Sequence, residues 1–253
     1  MDERADDPEE RGPAAYLAEV IGTFALVFFI TAAVSLYLNP AAGAFTDFTV
    51  IGLVHMFVLI MLIQTLAVVS GAHFNPAVTV AMTALRQIRP VDAAIYIGCQ
   101  MAGGVAGAFV TKTLLTEFSN AKAVNYGATL MSDKIDERVV LGMLAEGLGT
   151  FFLVWAIVGV AVNPRGAKDW ASFVIGATLG MAVMVMAPLT GAAFNPARSF
   201  GPALVSGEFG GADNFLPVYV LAPVIGALLA SVIYFNLFIA PGRKEPGGME
   251  PVG

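Results

Sequence analysis

The sequence predicts an all-α membrane protein made of six transmembrane helices and two re-entrant half-helices, arranged as two inverted repeats. Three observations predict this fold class. The chain is 57% hydrophobic and only 13% charged, six apolar windows are long enough to span a bilayer, and one short motif occurs twice between such windows. A composition of this kind is typical of a chain whose solvent is the lipid bilayer.

The six apolar windows give the spanning helices. Each is long enough to cross the hydrocarbon core, which needs about 20 residues. The windows cover residues 14–38, 49–69, 91–115, 139–162, 171–189 and 216–240. The first is longer than the apolar part of a signal peptide and lacks a convincing cleavage site, so we expect it to stay as a helix. Residues 1–13 and 241–253 are then polar tails at the two ends.

The repeated motif predicts two half-helices. Residues 70–78 read SGAHFNPAV, and residues 190–198 read TGAAFNPAR. The shared Asn-Pro-Ala residues are Asn75, Pro76 and Ala77 in the first copy and Asn195, Pro196 and Ala197 in the second. Asn followed by Pro favours a helix start, because Asn caps the helix and Pro at the first position lacks only an N–H that would be unpaired anyway. Half-helices are therefore expected at 76–85 and 196–205.

A second repeated motif indicates that the chain is duplicated. Residues 18–24 read AEVIGTF and residues 145–151 read AEGLGTF. The first repeat then covers residues 14–115 and the second 139–240, each with three helices and one half-helix, joined by a polar linker at 116–138. An odd number of spans per repeat inverts the second copy, so the two interrupted helices are expected to meet near the bilayer midplane.

Small residues four positions apart predict close contacts between helices. They occur as Gly103 and Gly107, as Gly176 and Gly180, and as Ala222, Gly226 and Ala230. This spacing lets two helix backbones approach each other in a membrane. We expect these residues to shape a pore only indirectly.

The distribution of Lys and Arg predicts the orientation in the membrane. The side that holds both termini carries Arg4, Arg11, Arg86, Arg89, Arg165, Lys168, Arg243 and Lys244, and the opposite side carries Lys112, Lys122, Lys134 and Arg138. An excess of positive charge marks the cytoplasmic side. Both termini are therefore expected in the cytoplasm, the linker at 116–138 outside the cell, and the protein in the plasma (cell inner) membrane.

Few ionisable side chains lie within the predicted spans and their loops, and each needs a role because a charge at membrane depth is costly. Glu19 and Glu146 occupy equivalent places in the two repeats and can supply hydrogen-bond acceptors to non-helical backbone. The alternative for both is a proton relay. Arg198 lies in the first turn of the second half-helix without an acidic sequence neighbour, so we expect it at the narrowest point of a pore. A structural ion pair is the alternative for Arg198.

The paired half-helices predict passive conduction of a small neutral solute. Helices that meet with their N-termini place positive dipole ends at the centre, which opposes cations, including hydronium. Asn75 and Asn195 can direct their amide hydrogens into the lumen while their oxygens hold the helix caps. A water molecule held in this way cannot relay a proton. For each Asn, a helix cap without a pore role is the alternative.

The paired Asn-Pro-Ala motifs, the repeated Ala-Glu-x-x-Gly-Thr-Phe and Arg198 resemble the aquaporin (major intrinsic protein) family over about residues 14–240. The resemblance implies two half-helices that meet end to end, one water-conducting pore per subunit, and a homotetramer. It also implies that Glu19 and Glu146 accept hydrogen bonds from the backbone of the re-entrant loops. His73, two residues before Asn75, is interpreted likewise as a support of the loop that also contacts the cytoplasmic vestibule.

The resemblance further implies a selectivity filter, which spacing from the Asn-Pro-Ala motifs assigns to His55, Val183, Ala192 and Arg198. Family members selective for water typically have an aromatic residue in place of His55 and a His in place of Val183. The present set is more similar to that of plant vacuolar aquaporins. It predicts a polar, somewhat wider constriction, which adds ammonia, hydrogen peroxide or urea to water as solutes. A core histidine away from the pore is the alternative for His55.

Two positions separate water channels from glycerol facilitators of the same family. Glycerol-conducting relatives usually carry an Asp directly after the filter arginine, whereas this chain has Ser199. That residue favours a water channel. On the sixth helix Tyr219 is followed by Val220, which departs from the adjacent aromatics usual in water channels. A glycerol facilitator is therefore the alternative within the family.

The sequence contains no pattern typical of an enzyme, a metal site or a cofactor site. It has two histidines and one cysteine, without a metal-binding or nucleophile motif. Cys99 in an apolar helix is expected to pack rather than react. We expect no cofactor, metal ion or nucleic acid, and water, small neutral solutes and membrane lipid as partners. An ion-coupled secondary transporter, the alternative from another class, would have to use Glu19 and Glu146.

Overall fold

The computed structural model describes residue 8 and residues 10–38, 48–135 and 138–243. Most of the predicted tails at 1–13 and 241–253 lies outside the described residues. All the regular elements in the described ranges are helical, and six helices there are long and apolar enough to cross a membrane. Two shorter helices follow the Asn-Pro pairs. The predicted all-α fold class with six spanning helices and two half-helices is confirmed.

The helices follow one another in this order. They are α1 (Pro13–Tyr37), α2 (Phe48–Ser70), α3 (Pro76–Ala84), α4 (Pro90–Leu115), α5 (Ser119–Ala123), α6 (Val139–Ile157), α7 (Ala171–Thr190), α8 (Pro196–Ser206), α9 (Ala212–Leu216) and α10 (Ala222–Tyr234). Short 3-10 turns lie at Asn125–Gly127, Lys168–Trp170 and Ala240–Arg243. Three π-helical turns continue these helices. One extends α6 over Val158–Val162, one joins α9 to α10 over Pro217–Leu221, and one extends α10 over Phe235–Ile239.

The sixth span runs over Ala212–Ile239. It begins four residues before the predicted window at 216–240, which is the largest difference between the windows and the observed spans. In the structure the helix begins directly after Gly211, whose φ of 87° ends the preceding loop, and takes Asp213 and Asn214 into its first turn.

The two half-helices, α3 and α8, begin through the same local chemistry. The side-chain oxygen of Asn75 accepts a hydrogen bond from the Ala77 N–H at 2.9 Å. The side-chain oxygen of Asn195 accepts one from the Ala197 N–H at 3.0 Å. In each case a Pro occupies the first helical position, where its missing N–H costs nothing.

The loops that precede the half-helices have matching backbone conformations. Positive φ occurs at Gly71 (85°), Ala72 (54°) and Phe74 (47°) in the first loop and at Gly191 (77°), Ala192 (48°) and Phe194 (53°) in the second. The left-handed region costs a non-glycine residue about 1–2 kcal/mol. Such conformations persist only where the surroundings hold them, so both loops need partners from neighbouring helices.

The helices pack in equivalent pairs, α1 with α4 and α6 with α10. Helices α2 and α7 contact each other, and they also contact α1 and α6 respectively. Each half-helix crosses to the other repeat, because α3 packs against α10 and α8 packs against α4. The two halves of the chain are thereby interlocked around the loops.

Glycines allow the closest of these approaches. A Cβ on Gly103 would lie 2.4 Å from the Val20 carbonyl oxygen in α1, and a Cβ on Gly226 would lie 2.1 Å from the Gly147 carbonyl oxygen in α6. No side chain fits in either space. The predicted close helix contacts at the small residues are therefore confirmed at these positions.

The outside of the bundle is apolar over most of its height. Large hydrophobic side chains such as Val68, Val140, Phe109 and Leu237 are more than half exposed. An apolar outer surface of this extent marks a face that meets lipid or other subunits. Polar side chains are instead concentrated inside the bundle, around the two loops.

Candidate pore

The two loops are joined by reciprocal hydrogen bonds from their asparagines. The Asn75 side-chain N–H donates to the Phe194 carbonyl oxygen at 2.8 Å, and the Asn195 side-chain N–H donates to the Phe74 carbonyl oxygen at 2.8 Å. Each side-chain oxygen also caps its own half-helix. Both amides are therefore fixed at two points, and each keeps one further N–H hydrogen. Both asparagines line the same cavity.

Glu19 holds the first loop. Its carboxylate is fully buried and accepts hydrogen bonds from the Ser70 hydroxyl at 2.7 Å, from the backbone N–H groups of His73 and Phe74 at 3.0 and 2.7 Å, and from the Gln100 amide at 2.7 Å. Hydrogen bonds to a charged acceptor are about twice as strong as neutral ones. This set of donors accounts for the left-handed backbone of the loop.

Glu146 holds the second loop in the same way. Its fully buried carboxylate accepts hydrogen bonds from the Thr190 hydroxyl at 2.6 Å and from the backbone N–H groups of Ala193 and Phe194 at 3.0 and 2.7 Å. Neither Glu146 nor Glu19 lines the two pore cavities described below. The geometry matches the loop-supporting role expected for both residues and offers nothing specific for the proton relay.

Two tyrosines add a second support that the sequence reading missed. The Tyr96 hydroxyl donates to the Ser70 carbonyl oxygen at 2.8 Å, and the Tyr219 hydroxyl donates to the Thr190 carbonyl oxygen at 2.7 Å. The pairs are equivalent in the two repeats. The signal that could have identified them is the recurrence of a Tyr on the third helix of each repeat, with a Ser or Thr ending the second.

The repeated Ala-Glu-x-x-Gly-Thr-Phe motif has a further structural reason. A Cβ on Gly22 would lie 2.0 Å from the ring of Phe74, and a Cβ on Gly149 would lie 2.0 Å from the ring of Phe194. Each motif therefore supplies a carboxylate for the loop backbone and, one turn later, a space for the loop phenylalanine. Both rings are fully buried.

His73 supports the first loop and also reaches the cavity. Its backbone N–H donates to Glu19, its Nδ1 lies 3.1 Å from the Thr79 hydroxyl, and its ring meets Tyr96 edge to face at 5.4 Å between centroids. It also lines the cavity that contains the two asparagines. These are the contacts that a loop support would make, and the role of His73 at a cytoplasmic vestibule stays a prediction.

Two cavities meet at Arg198. The inner cavity, of about 340 Å³, lies on the side of the described N-terminal residues and reaches from Arg11 and Gln87 past Asn75 to His55. The outer cavity, of about 250 Å³, lies beside the 3-10 turn at Asn125–Gly127. Arg198 lines both cavities, so its side chain lies between them.

The guanidinium of Arg198 is held by backbone and not by a carboxylate. Its side chain is 1% exposed, and one terminal N–H donates to the Gly127 carbonyl oxygen at 2.9 Å. Among the described residues, its Nε has no hydrogen-bond partner and no carboxylate lies within ion-pair distance of its guanidinium. The structural ion pair, which was the alternative role for Arg198, is therefore not formed among the described residues. The contribution of the linker carbonyl was not visible in the sequence.

His55 lies on the same cavity as Arg198. Its Nδ1 is 2.7 Å from the Ile51 carbonyl oxygen, one turn earlier on α2, and its Nε2 has no hydrogen-bond partner in the part of the chain that the structure describes. With Nδ1 as the donor, Nε2 becomes an acceptor. The structure thus brings together an arginine donor and a histidine acceptor, both fully buried.

Val183 and Ala192, the other two expected filter residues, are fully buried in the core cluster that surrounds this point. Neither lines the inner or the outer cavity. The residues of α7 that line the inner cavity are Ala171, Ile175 and Leu179, the last of them one turn before Val183. The filter roles of Val183 and Ala192 therefore stay predictions.

Comparison with known proteins gives consistent matches along the chain. Residues 11–234 match the family model described as Major intrinsic protein. The chain is 38% identical over 218 residues to Glycerol uptake facilitator protein-like 6 of Lactiplantibacillus plantarum, covering 85% of this chain and 94% of that protein. It is 34% identical over 235 residues to Aquaporin AqpM of Methanothermobacter thermautotrophicus, covering 86% and 94%.

One solved structure gives the same fold. The aquaglyceroporin of Plasmodium falciparum aligns with a TM-score of 0.74, at 22% identity, over 90% of this chain and 97% of that one. At this identity the likeness concerns the fold alone.

The support of the second loop can be tested with Glu146→Gln. Glutamine keeps one carbonyl oxygen but replaces the other with an N–H₂ group, so a buried donor of Thr190 or Phe194 loses its acceptor. We expect folding to be destabilised by about 1–3 kcal/mol, seen as a lower thermal midpoint of the purified protein in detergent. Glu208→Gln is the matched control, because Glu208 accepts only from Gly210 on a partly buried loop. An unchanged midpoint for Glu146→Gln would contradict the supporting role.

Proposed function

The chain belongs to the major intrinsic protein family, and we propose that it conducts water, together with ammonia, hydrogen peroxide or urea, while excluding ions and protons. Membership in this family makes it a passive channel in an integral multi-pass membrane protein, and not an enzyme. The observation that carries the finer proposal is the set of polar atoms where the inner and outer cavities meet. There an arginine without a described counter-ion lies on the same cavity as an unpartnered histidine nitrogen.

Cations are opposed at two places along this path. The half-helices α3 and α8 begin at the centre, so their positive dipole ends point toward the lumen between Asn75 and Asn195. Arg198 adds a full positive charge where the cavities meet. A cation must shed part of its hydration shell to enter, and at both places it meets positive charge instead of oxygen ligands that could replace the lost waters.

Protons are excluded by the orientation of water beside the asparagines. Each amide is fixed by one bond from its nitrogen and one to its oxygen, which leaves an N–H hydrogen as the group offered to the lumen. A water molecule that accepts from Asn75 and Asn195 must direct its own hydrogens away from the centre. A chain of waters is then interrupted as a proton path.

The solute range follows from the groups beside Arg198. His55 offers an acceptor nitrogen and Arg198 offers donors, so small molecules with both functions can exchange their hydration for these contacts. We assign Val183 and Ala192 to the same filter as its small apolar members. Together these residues give a polar constriction wide enough for ammonia, hydrogen peroxide or urea as well as water.

Glycerol is the second candidate solute. The relative from Lactiplantibacillus plantarum at 38% identity carries the name of a glycerol uptake facilitator, which favours it. Ser199 after Arg198, where glycerol-conducting members usually have Asp, favours water. A measurement of solute flux decides between the two.

We further propose a homotetramer in the plasma membrane, with one pore per subunit and both termini in the cytoplasm. The assignment of repeats to 14–115 and 139–240, with an extracellular linker at 116–138, belongs to the same proposal. Support comes from the excess of Lys and Arg on the side of the termini and from the apolar outer surface. The tetramer follows from the family resemblance.

Stopped-flow light scattering of proteoliposomes tests the proposed solute range. We expect fast water flux that needs no ion gradient, measurable flux of ammonia, hydrogen peroxide or urea, and slow flux of glycerol, each compared with protein-free liposomes. Glycerol flux as fast as that of the smaller solutes would establish the facilitator instead. Loss of all flux when ion gradients are removed would indicate the coupled transporter.

Arg198→Val tests the filter arginine. The change removes a positive charge and shortens the side chain at the point where the cavities meet, so we expect a several-fold rise in urea permeability and a measurable leak of small cations. Arg165→Val is the matched control, since Arg165 is exposed on a loop. An unchanged solute and ion profile in Arg198→Val would show that this arginine is not part of the filter.

His55→Phe combined with Val183→His tests the other filter positions by building the arrangement typical of water-selective members. We expect water to pass still, and flux of ammonia, urea or hydrogen peroxide to fall much more than water flux, because an imidazole narrows the constriction. Val183→His alone should reduce the larger solutes more than His55→Phe alone. Equal loss of all solutes would indicate misfolding, and no change would remove both residues from the filter.

A further inference from the structure

Arg11 lies at the inner end of the cavity that contains the asparagines. Its side chain is half-buried and lines the inner cavity, whose other end is formed by Arg198. Its Nε is inaccessible and has no hydrogen-bond partner among the residues that the structure describes. No described carboxylate lies within ion-pair distance of its guanidinium. The inner cavity is therefore bounded by an arginine at both ends.

The backbone of Arg11 is fixed to the bundle by Asp92, in the first turn of α4. The fully buried Asp92 carboxylate accepts hydrogen bonds from the Arg11 backbone N–H at 3.4 Å, from the Tyr16 hydroxyl at 2.7 Å and from the Arg89 Nε at 2.6 Å. Asp92 thus joins the start of α4 to Tyr16 in α1 and to the backbone just before α1. The side chain of Arg11 is left to face the cavity.

The two carboxylates near Arg11, those of Glu10 and Asp92, form ion pairs with Arg89. Arg89 pairs with Asp92 through Nε and with Glu10 at 3.2 Å through a terminal nitrogen. Among the described residues, Asp92 and Glu10 both pair with Arg89, and neither forms an ion pair with the guanidinium of Arg11. A charged side chain on a cavity with low-dielectric walls changes the local concentration of charged solutes.

We propose that Arg11 is a specificity-determining residue, a second charge filter at the inner mouth of the pore, with Asp92 as its positioning residue. This inference rests on the proposed function, because it takes the inner cavity as part of the conducting path. Arg11 lowers the concentration of cations that approach from the inner side and raises that of anions and of neutral solutes with acceptor groups. Arg198 then makes the finer selection at the far end of the same cavity.

The charge at the inner mouth can be measured without any solute flux. In a Cys99→Ser background, Ala67→Cys places a thiol on the inner cavity. Its reaction rates with anionic and cationic methanethiosulfonate reagents of similar size are compared in open membrane fragments, where both faces are accessible. The ratio of the two rates reports the local charge, because the reactivity of the thiolate itself cancels.

We expect Arg11→Gln to lower the ratio of anionic to cationic rate by roughly fivefold, the order of effect that one nearby charge has through a mostly aqueous mouth. Arg11→Lys keeps the charge and should keep most of the ratio. Asp92→Asn should lower the ratio as well, since it loosens the backbone of Arg11. A thiol placed by Ala123→Cys on the outer cavity is the matched control and should not respond to Arg11→Gln.

A ratio at Ala67→Cys that is the same with Arg11 and with Gln would overturn the proposal. If Arg11→Gln does not fold, the protein that keeps Arg11 and carries Ala67→Cys can be tested by varying the ionic strength. Salt screens a solvent-accessible charge. The ratio should fall toward the value measured for a small free thiol as salt is raised from about 0.01 to 1 M, and a salt-independent ratio would equally overturn the proposal. Absence of water flux with an intact charge ratio would count against the proposed function alone.

Discussion

Non-helical backbone at the centre of a membrane protein needs hydrogen-bond partners that the bilayer cannot provide. Glu19 and Glu146 provide them, one for each loop, through charge-assisted bonds to consecutive backbone N–H groups. These bonds hold residues in the left-handed region that would otherwise be costly. The positions of both half-helices depend on the two carboxylates, and so does everything that lines the pore between them.

Because the two repeats are equivalent, the same loop and half-helix arrangement occurs twice, and the two copies meet symmetrically at the centre of the bundle. Each loop ends in an asparagine that caps its own half-helix and bonds to the carbonyl oxygen of the other loop. The half-helix dipoles and the amide N–H groups are thereby directed at the same place. Arg198 breaks the symmetry, because the equivalent position in the first repeat is Val78. A single arginine is enough to make one end of the centre cationic.

Much of this centre could be predicted from the sequence because it is encoded locally. The Asn-Pro pairs predict both helix starts, and the recurrence of Glu19 as Glu146 predicts that both glutamates have one role. The contacts that were missed join distant parts of the chain. The Tyr96 and Tyr219 hydroxyls and the Gly127 carbonyl reach their partners only once the helices and the linker are packed. Such pairs have no fixed sequence spacing.

The filter shows the same limit of sequence reasoning. Arg198 follows Asn195 within one helical turn, so its place is fixed by the cap. His55 and Val183 lie on uninterrupted helices, where an error of one residue rotates a side chain by about 100°. His55 lines the inner cavity, whereas on α7 the lining residues are Ala171, Ile175 and Leu179 and not Val183. The role of Arg11 depends on a contact with Asp92, 81 positions away, and no local pattern indicates it.

The most direct test of this centre is to measure water and proton flux in the same proteoliposomes. Vesicles loaded with a pH-sensitive dye are exposed to an osmotic step and, separately, to a pH gradient with the membrane potential clamped. The fixed amides of Asn75 and Asn195 predict fast water flux with a low temperature dependence, and acidification no faster than in protein-free vesicles. Acidification at a rate comparable with that produced by a protonophore would contradict the proposed interruption of the water chain.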